Sequence, residues 1–146
     1  MKKLLLPVIV FAAIVIFGYG RHNTLFSAAP TSATAANDSV FASALEKHAS
    51  NIQVEGQGIV VKILPDDNDG SRHQRFIVRL TSGQTILIAH NIDLAPRVSS
   101  LNEGDVISFS GEYEWNPKGG VVHWTHRDLD GQHPAGWIRH DGQAFQ

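Results

Sequence analysis

The chain has 146 residues, 42% hydrophobic and 18% charged, a composition that excludes collagen-like repeats and wholesale disorder and sets one small domain as the ceiling. Its net charge of −2 is uneven: Lys2, Lys3 and Arg21 lie at the front, and from Asn37 onward nine basic residues stand against 14 acidic ones, a net −5 that disfavours nucleic acid and anionic membrane surfaces as partners. Without cysteine there is no disulfide framework, thiolate metal site or cysteine nucleophile, so chemistry falls to histidine, carboxylate, hydroxyl and backbone groups.

Residues 1–20 read as a signal peptide or anchor. Two lysines precede an apolar run from Leu4 to Phe17, the n-region and h-region of an export signal, and Gly18-Tyr19-Gly20 offers small residues at both cleavage positions. Residues 4–19 contain Pro7 and fall short of the roughly 20 that span a bilayer. Cleavage is therefore favoured, and the expected location is periplasmic or secreted; a membrane enters only if the segment stays uncleaved as an inner-membrane anchor. Residues 21–37, rich in Ala, Ser and Thr with Pro30, read as a flexible linker, and residues 38–146 as the single domain.

Asn37 or Asp38 is expected to cap a short helix carrying Val40, Phe41, Ala44 and Leu45 at helical spacing. Five β-branched runs follow, at 59–64, 76–80, 85–89, 106–109 and 121–124, separated by turn-forming clusters. The longest connector, after the third strand, has room for a helical turn within 92–101. Three strands, a bridge and two strands is the order of an OB-like five-stranded Greek-key barrel. The segment from Leu101 to Val106, followed by Gly111, resembles the approach to strand four in OB-fold proteins. A C-terminal hairpin around Asp141-Gly142 is expected to cap or extend the barrel. A domain of this size buries roughly 60–65% of its unfolded surface, enough for stability without a structural metal.

Six of the eight histidines lie between His73 and His140, four of them in the stretch 123–140 beside Asp128 and Asp130. Neutral imidazoles with nearby carboxylates can hold a divalent metal such as zinc, and His123, His126, Asp128 and His133 are the candidate ligands. His123 and His126 differ by three residues, so a straight strand puts them on opposite faces; a bend at Thr125 would be required, and the spacing matches no standard zinc site. In the alternative reading the histidines bond loop backbone and shape a groove. The strand 72–80 alternates, with Gln74, Phe76, Val78 and Leu80 on one face and His73, Arg75, Ile77 and Arg79 on the other. The second face can take phosphate or carboxylate through the arginine fork, or it is a solvated face whose arginines pair with Glu112 and Glu114. His90-Asn91-Ile92-Asp93 ends the third strand where loops usually carry function. The acidic run from Asp66 lacks the calcium-loop pattern, since its sixth and twelfth positions are Ser71 and Ile77. Trp115, Trp124 and Trp137 can stack on a planar ligand or fill the core.

The segments Asp69-Gly70-Ser71-Arg72-His73-Gln74-Arg75-Phe76, His90-Asn91-Ile92-Asp93, Gly111-Glu112-Tyr113-Glu114-Trp115-Asn116 and His123-Trp124-Thr125-His126, followed by Asp128, His133 and Gly136-Trp137, resemble a family of small exported bacterial proteins catalogued as a domain of unknown function. The resemblance runs for about 90 residues from Gly56 to the end. It implies an envelope setting and a polar histidine surface including His73, Gln74, His90, Asn91, His123, His126 and His133, and it carries no activity with it.

Two functions compete. In the first, an OB-like module binds a small polar or anionic ligand through Gln74, Arg75, His90, Asn91, Trp124 and Trp137, with His73 and His123 in the same groove. In the second, a histidine-dependent and metal-assisted hydrolase cleaves phosphoester or related bonds, with His73 or His123 as catalytic base and Arg75 steadying negative charge. No glycine-x-serine-x-glycine nucleophile motif is present.

Overall fold

The computed structural model describes residues 32–146; the expected signal, its cleavage site and the first part of the linker lie outside them. The described chain is mainly β, with one helix, α1 (Ser32–Glu46), and seven strands: β1 (Ile52–Asp67), β2 (His73–Leu80), β3 (Thr85–Asn91), β4 (Val106–Glu114), β5 (Val121–His123), β6 (Trp137–His140) and β7 (Gln143–Phe145).

The helix begins earlier than expected. Ser32-Ala33-Thr34-Ala35-Ala36 is helical rather than linker, because alanine loses least on entering a helix. Asp38 therefore sits inside α1 and does not cap it. Its buried carboxylate instead accepts a hydrogen bond of 2.7 Å from the Ser82 amide in the β2–β3 turn. The helix docks through Phe41, fully buried with its ring centroid 6.0 Å from those of both Phe109 and Tyr113.

The strands pair in the order β1-β2-β3-β5-β4-β6-β7, and β1 also pairs with β4, so the first five form a closed cycle. β1 makes this possible by working twice: residues 52–59 pair with β4, residues 58–67 with β2, and a register shift between Val60 and Lys62 turns the strand from one partner to the other. Gly58 stands at the changeover, where an added Cβ would meet the Arg79 carbonyl oxygen at 2.5 Å and Val78 at 2.6 Å. β3 and β5 run parallel, and every other pairing is antiparallel.

Inward residues alternate with outward ones along β2, β3 and β4. They gather Val60, Phe76, Val78, Ile86, Ile88, Ile107, Phe109, Tyr113, Val122 and Ile138 into one core, with Phe41 closing one side. β5 and β6 lie end to end on the same edge of β4, opposite 112–114 and 108–110 respectively. The Asp141-Gly142 turn has positive φ at both positions, 47° and 76°, the geometry that closes a two-residue hairpin between β6 and β7.

The expected helical turn in 92–101 is present as a single turn: the Ala95 amide donates to the Asn91 carbonyl at 3.2 Å, and no helix continues from it. Pro96 disfavours helical geometry at Ala95, and the buried Gln74 amide holds Val98 from both sides, accepting from its amide at 2.9 Å and donating to its carbonyl at 3.1 Å.

Truncating the residue that fastens the helix tests this arrangement. Phe41→Ala is expected to lower the unfolding free energy by about 3–5 kcal/mol, read from the urea midpoint at unchanged slope.

Candidate functional site

The outward residues of β2, β3 and β5 form one surface. His73 lies opposite Asn91, Arg75 opposite Ala89 and Ile77 opposite Leu87, with Val121 beside Leu87. Two clefts open on it. One, of about 240 Å³, is lined by Ser71, His73, Asn91, His123, Trp124 and His126. The other, of about 290 Å³, has an aliphatic floor including Leu64, Ile77 and Leu87 and carries Arg75 and Lys118. They are one outward pair apart along β2 and β3.

The first cleft depends on a bend. Trp124 has φ of 52°, left-handed for a residue with a bulky side chain, so β5 stops at His123. The bend falls one residue before the expected Thr125, and it lets His123 and His126 line the same cleft despite their three-residue spacing. The loop 124–136 is then pinned: the Gly136 amide donates to the His126 carbonyl at 2.8 Å. A Cβ on Gly136 would meet the Trp124 carbonyl oxygen at 2.0 Å, so only glycine passes there. Asp128 accepts from the amides of His133 and Asp130, and these bonds, that of His133 foremost, hold its carboxyl below the ordinary value. The Trp124 ring stacks on His133, centroids 4.3 Å apart, and the His126 and His133 rings meet edge-on at 5.1 Å.

The proton positions follow from the acceptors. Carbonyl oxygens only accept, so His73 donates through Nδ1 to Ser71 at 2.8 Å, His126 through Nδ1 to Arg127 at 2.8 Å and His133 through Nδ1 to Pro134 at 2.8 Å. In the neutral ring each leaves Nε2 as the acceptor. His126 is 3% exposed, and its Nε2 has no hydrogen-bond partner; nor has the buried Nε2 of His123. His123 stands 3.5 Å from Glu114 Oε1 and 3.7 Å from Glu112 Oε1. Burial lowers its pKa, and the two carboxylates only partly oppose that.

His90 and Gln74 face the other way. His90 is 0% exposed, in phase with Ile86 and Ile88. Its Nε2 donates to the Pro96 carbonyl at 3.0 Å and its Nδ1 accepts from the Thr125 hydroxyl at 2.8 Å, so the ring joins the loop after β3 to the loop after β5 from inside. Gln74, also buried, is the clamp on Val98. Trp137 lies on β6 outside both clefts, under the Arg139 guanidinium at 4.1 Å. Glu112 and Glu114 stand against His123 rather than pairing with arginines, and Arg75 donates through Nε to the Pro65 carbonyl at 3.0 Å. Arg72 binds Asp93 through both its amide and Nε at 2.7 Å, and Arg97 pairs with Asp66, so two salt bridges hold the β1–β2 loop and the end of β1 to the loop after β3.

Of the four expected metal ligands, His123 alone belongs to a group of donor atoms that converge. Among the described residues, that group is Glu112, Glu114 and His123, all within 4.8 Å of one another; the ring nitrogens of His126 and His133 and the Asp128 carboxylate are not part of it. The structure thus brings His73, Asn91, His123, Trp124 and His126 together and sets Arg75 in the neighbouring cleft. Thr125, which ties the cleft to His90, and Glu112 and Glu114, which stand against His123 rather than against arginine, have roles that no sequence motif marks. The alternation of the two glutamates along one strand was visible, but the register that puts His123 opposite them was not.

The chain belongs to a family of small β-rich domains without an assigned activity. The family model that matches is described as "Protein of unknown function (DUF3465)" and covers residues 24–146. No curated protein matches the chain.

The buried His90 gives a pH signature. Burial, the largest cause, lowers its pKa, and the nearby His126, His73 and Arg97 lower it further against the Pro96 bond that raises it. The folded ring stays neutral where an unfolded histidine, near 6.5, takes up a proton, so the unfolded state binds more protons and stability falls as pH drops below about 6.5. Urea unfolding at pH 7 and pH 5 is expected to show this loss, with His123 adding to it. His90→Gln is expected to be less stable at pH 7 by about 1–3 kcal/mol and to have a flatter pH dependence.

Proposed function

We propose that this protein is an exported binding module of the bacterial envelope, periplasmic or secreted, which takes a small polar or anionic ligand on the outward face of β2, β3 and β5. In this reading the cycle β1-β2-β3-β5-β4 is an OB-like Greek-key barrel, supported by its strand order and the parallel β3–β5 pair. The N-terminal lysines and apolar run support export.

One observation carries the proposal: His123 and His126, two walls of one cleft, each have a buried Nε2 without a partner in the chain. An unmatched buried polar group costs about 1–3 kcal/mol, and a ligand whose hydroxyl or amino groups donate a hydrogen bond to each nitrogen removes that penalty. Trp124, 37% exposed at the cleft, offers a face for a planar group. Arg75 and Lys118, one step along the same face, suit an anionic group on the same molecule.

The test is a panel of inorganic phosphate, citrate, nucleoside monophosphates and neutral sugars, followed by the imidazole resonances of His73, His123 and His126 and the Trp124 indole resonance. At least one anionic probe is expected to shift all four. Trp124→Ala is expected to weaken its binding by roughly 1–3 kcal/mol, and His126→Ala to weaken it while the protein stays folded. No shift with any probe at millimolar concentration would overturn the reading.

A second reading, hydrolysis of phosphoester bonds, is favoured by the meeting of His73 and His123 in one cleft. It requires turnover of a generic phosphodiester by the folded protein, lost in His73→Ala and His123→Ala. Binding without turnover in the presence of divalent metal leaves the first reading alone.

A further inference from the structure

The group formed by Glu112, Glu114 and His123 lies on paired strands of the sheet. Glu112 and Glu114 are two apart on β4 and so share its outward face; β5 sets His123 directly opposite Glu112 and one step from Glu114. All three donors are partly shielded, with side-chain exposures of 21%, 45% and 27%. No loop is needed to bring them together.

Their separations point to a shared ion rather than to a direct bond. A charge-assisted N–H···O bond is about 2.7–2.9 Å long, whereas Nε2 lies 3.5 and 3.7 Å from the two carboxylate oxygens and makes no hydrogen bond. In a tetrahedral site with metal–ligand bonds of about 2.0–2.2 Å, neighbouring ligand atoms are roughly 3.3–3.6 Å apart. The observed distances fall on or within about 0.1 Å of that edge length. Two carboxylates held side by side also repel one another, and a cation between them reverses the sign of that interaction.

We propose that Glu112, Glu114 and His123 form a binding site for one divalent zinc-class ion. An imidazole with two carboxylates suits such an ion better than calcium or magnesium, which prefer oxygen ligands alone. Three protein ligands leave a coordination position for water or a ligand atom. His123 is also a wall of the 240 Å³ cleft, and the nine-tenths-buried His126, with its unpartnered Nε2, lines that same cleft. The ion therefore stands at the margin of the cleft, takes up His123 Nε2 in place of a ligand hydrogen bond, and leaves His126 Nε2 for the ligand beside a Lewis acid. The site requires no other ligand, so it can fail while the cleft still binds organic anions.

The full chain, purified without a histidine tag, is dialysed against zinc chloride, freed of unbound metal and analysed for zinc by mass spectrometry, with cobalt(II) substitution to read the coordination geometry from the visible spectrum. About one zinc per chain is expected. His123→Ala and the double variant Glu112→Gln/Glu114→Gln are each expected to lose at least tenfold in affinity; circular dichroism checks that they are folded, and the double variant decides the matter if His123→Ala does not fold. His133→Ala and Asp128→Asn are expected to retain the ion, which separates this site from the loop. Zinc no higher than in a metal-free control overturns the proposal, as does zinc that survives in the folded double variant.

Discussion

Each outward-facing residue of the candidate site owes its position to the divided pairing of β1. A strand that bonds β4 along its first half and β2 along its second forces the sheet to curve until its edges meet. The curvature takes hydrogen-bonding edges away from solvent and turns alternate residues of β2, β3 and β4 into a common core. The same pleat turns His73, Arg75, Asn91, Glu112 and Glu114 outward together. Core and site are thus two sides of one constraint, and the register shift after Val60 lets a single strand satisfy both partners.

Buried polar groups then place the loops that the sheet alone would leave loose. Gln74 holds Val98, while His90 reaches Pro96 with one nitrogen and Thr125 with the other. Thr125 lies between Trp124 and His126, so the inner histidine positions the cleft although it touches none of the cleft's open volume. The protein uses histidine in two ways on opposite sides of the same strands: with both nitrogens matched, to join loops, and with Nε2 left over, to face a cleft. Satisfied networks of the first kind are rigid because each member has one arrangement that matches all its partners.

Much of the fold was legible in the sequence because alternation, β-branched runs and turn residues are local signals. The five runs correspond to β1–β5, and the Asp141-Gly142 hairpin forms where it was read. β1 runs well beyond the expected 59–64, because Gly56 and Gly58, which interrupt its apolar pattern, are what the close approach of Phe109 and Val78 requires. The site was half legible. His73, Asn91, His123, Trp124 and His126 do meet, but Gln74 and His90 were counted with them although period-two alternation put the first in phase with Phe76 and Val78 and the second with Ile86 and Ile88. Glu112 and Glu114 could not be assigned to His123, because cross-strand register depends on the whole closed cycle and not on either strand's own residues.

β5 and β6 share one edge of β4, so the chain from 124 to 136 leaves that edge and rejoins it a few residues along. Such an excursion is topologically an insertion. The entropy of closing a loop grows only slowly with its length, and no strand depends on how many residues the excursion contains. The cleft therefore has one wall built by the sheet and another supplied by the two pinned ends of an excursion, whose middle, 127–135, carries no strand. Variation between 127 and 135, with Trp124, Thr125, His126 and Gly136 kept, can change the rim of the cleft while the sheet keeps its pairing.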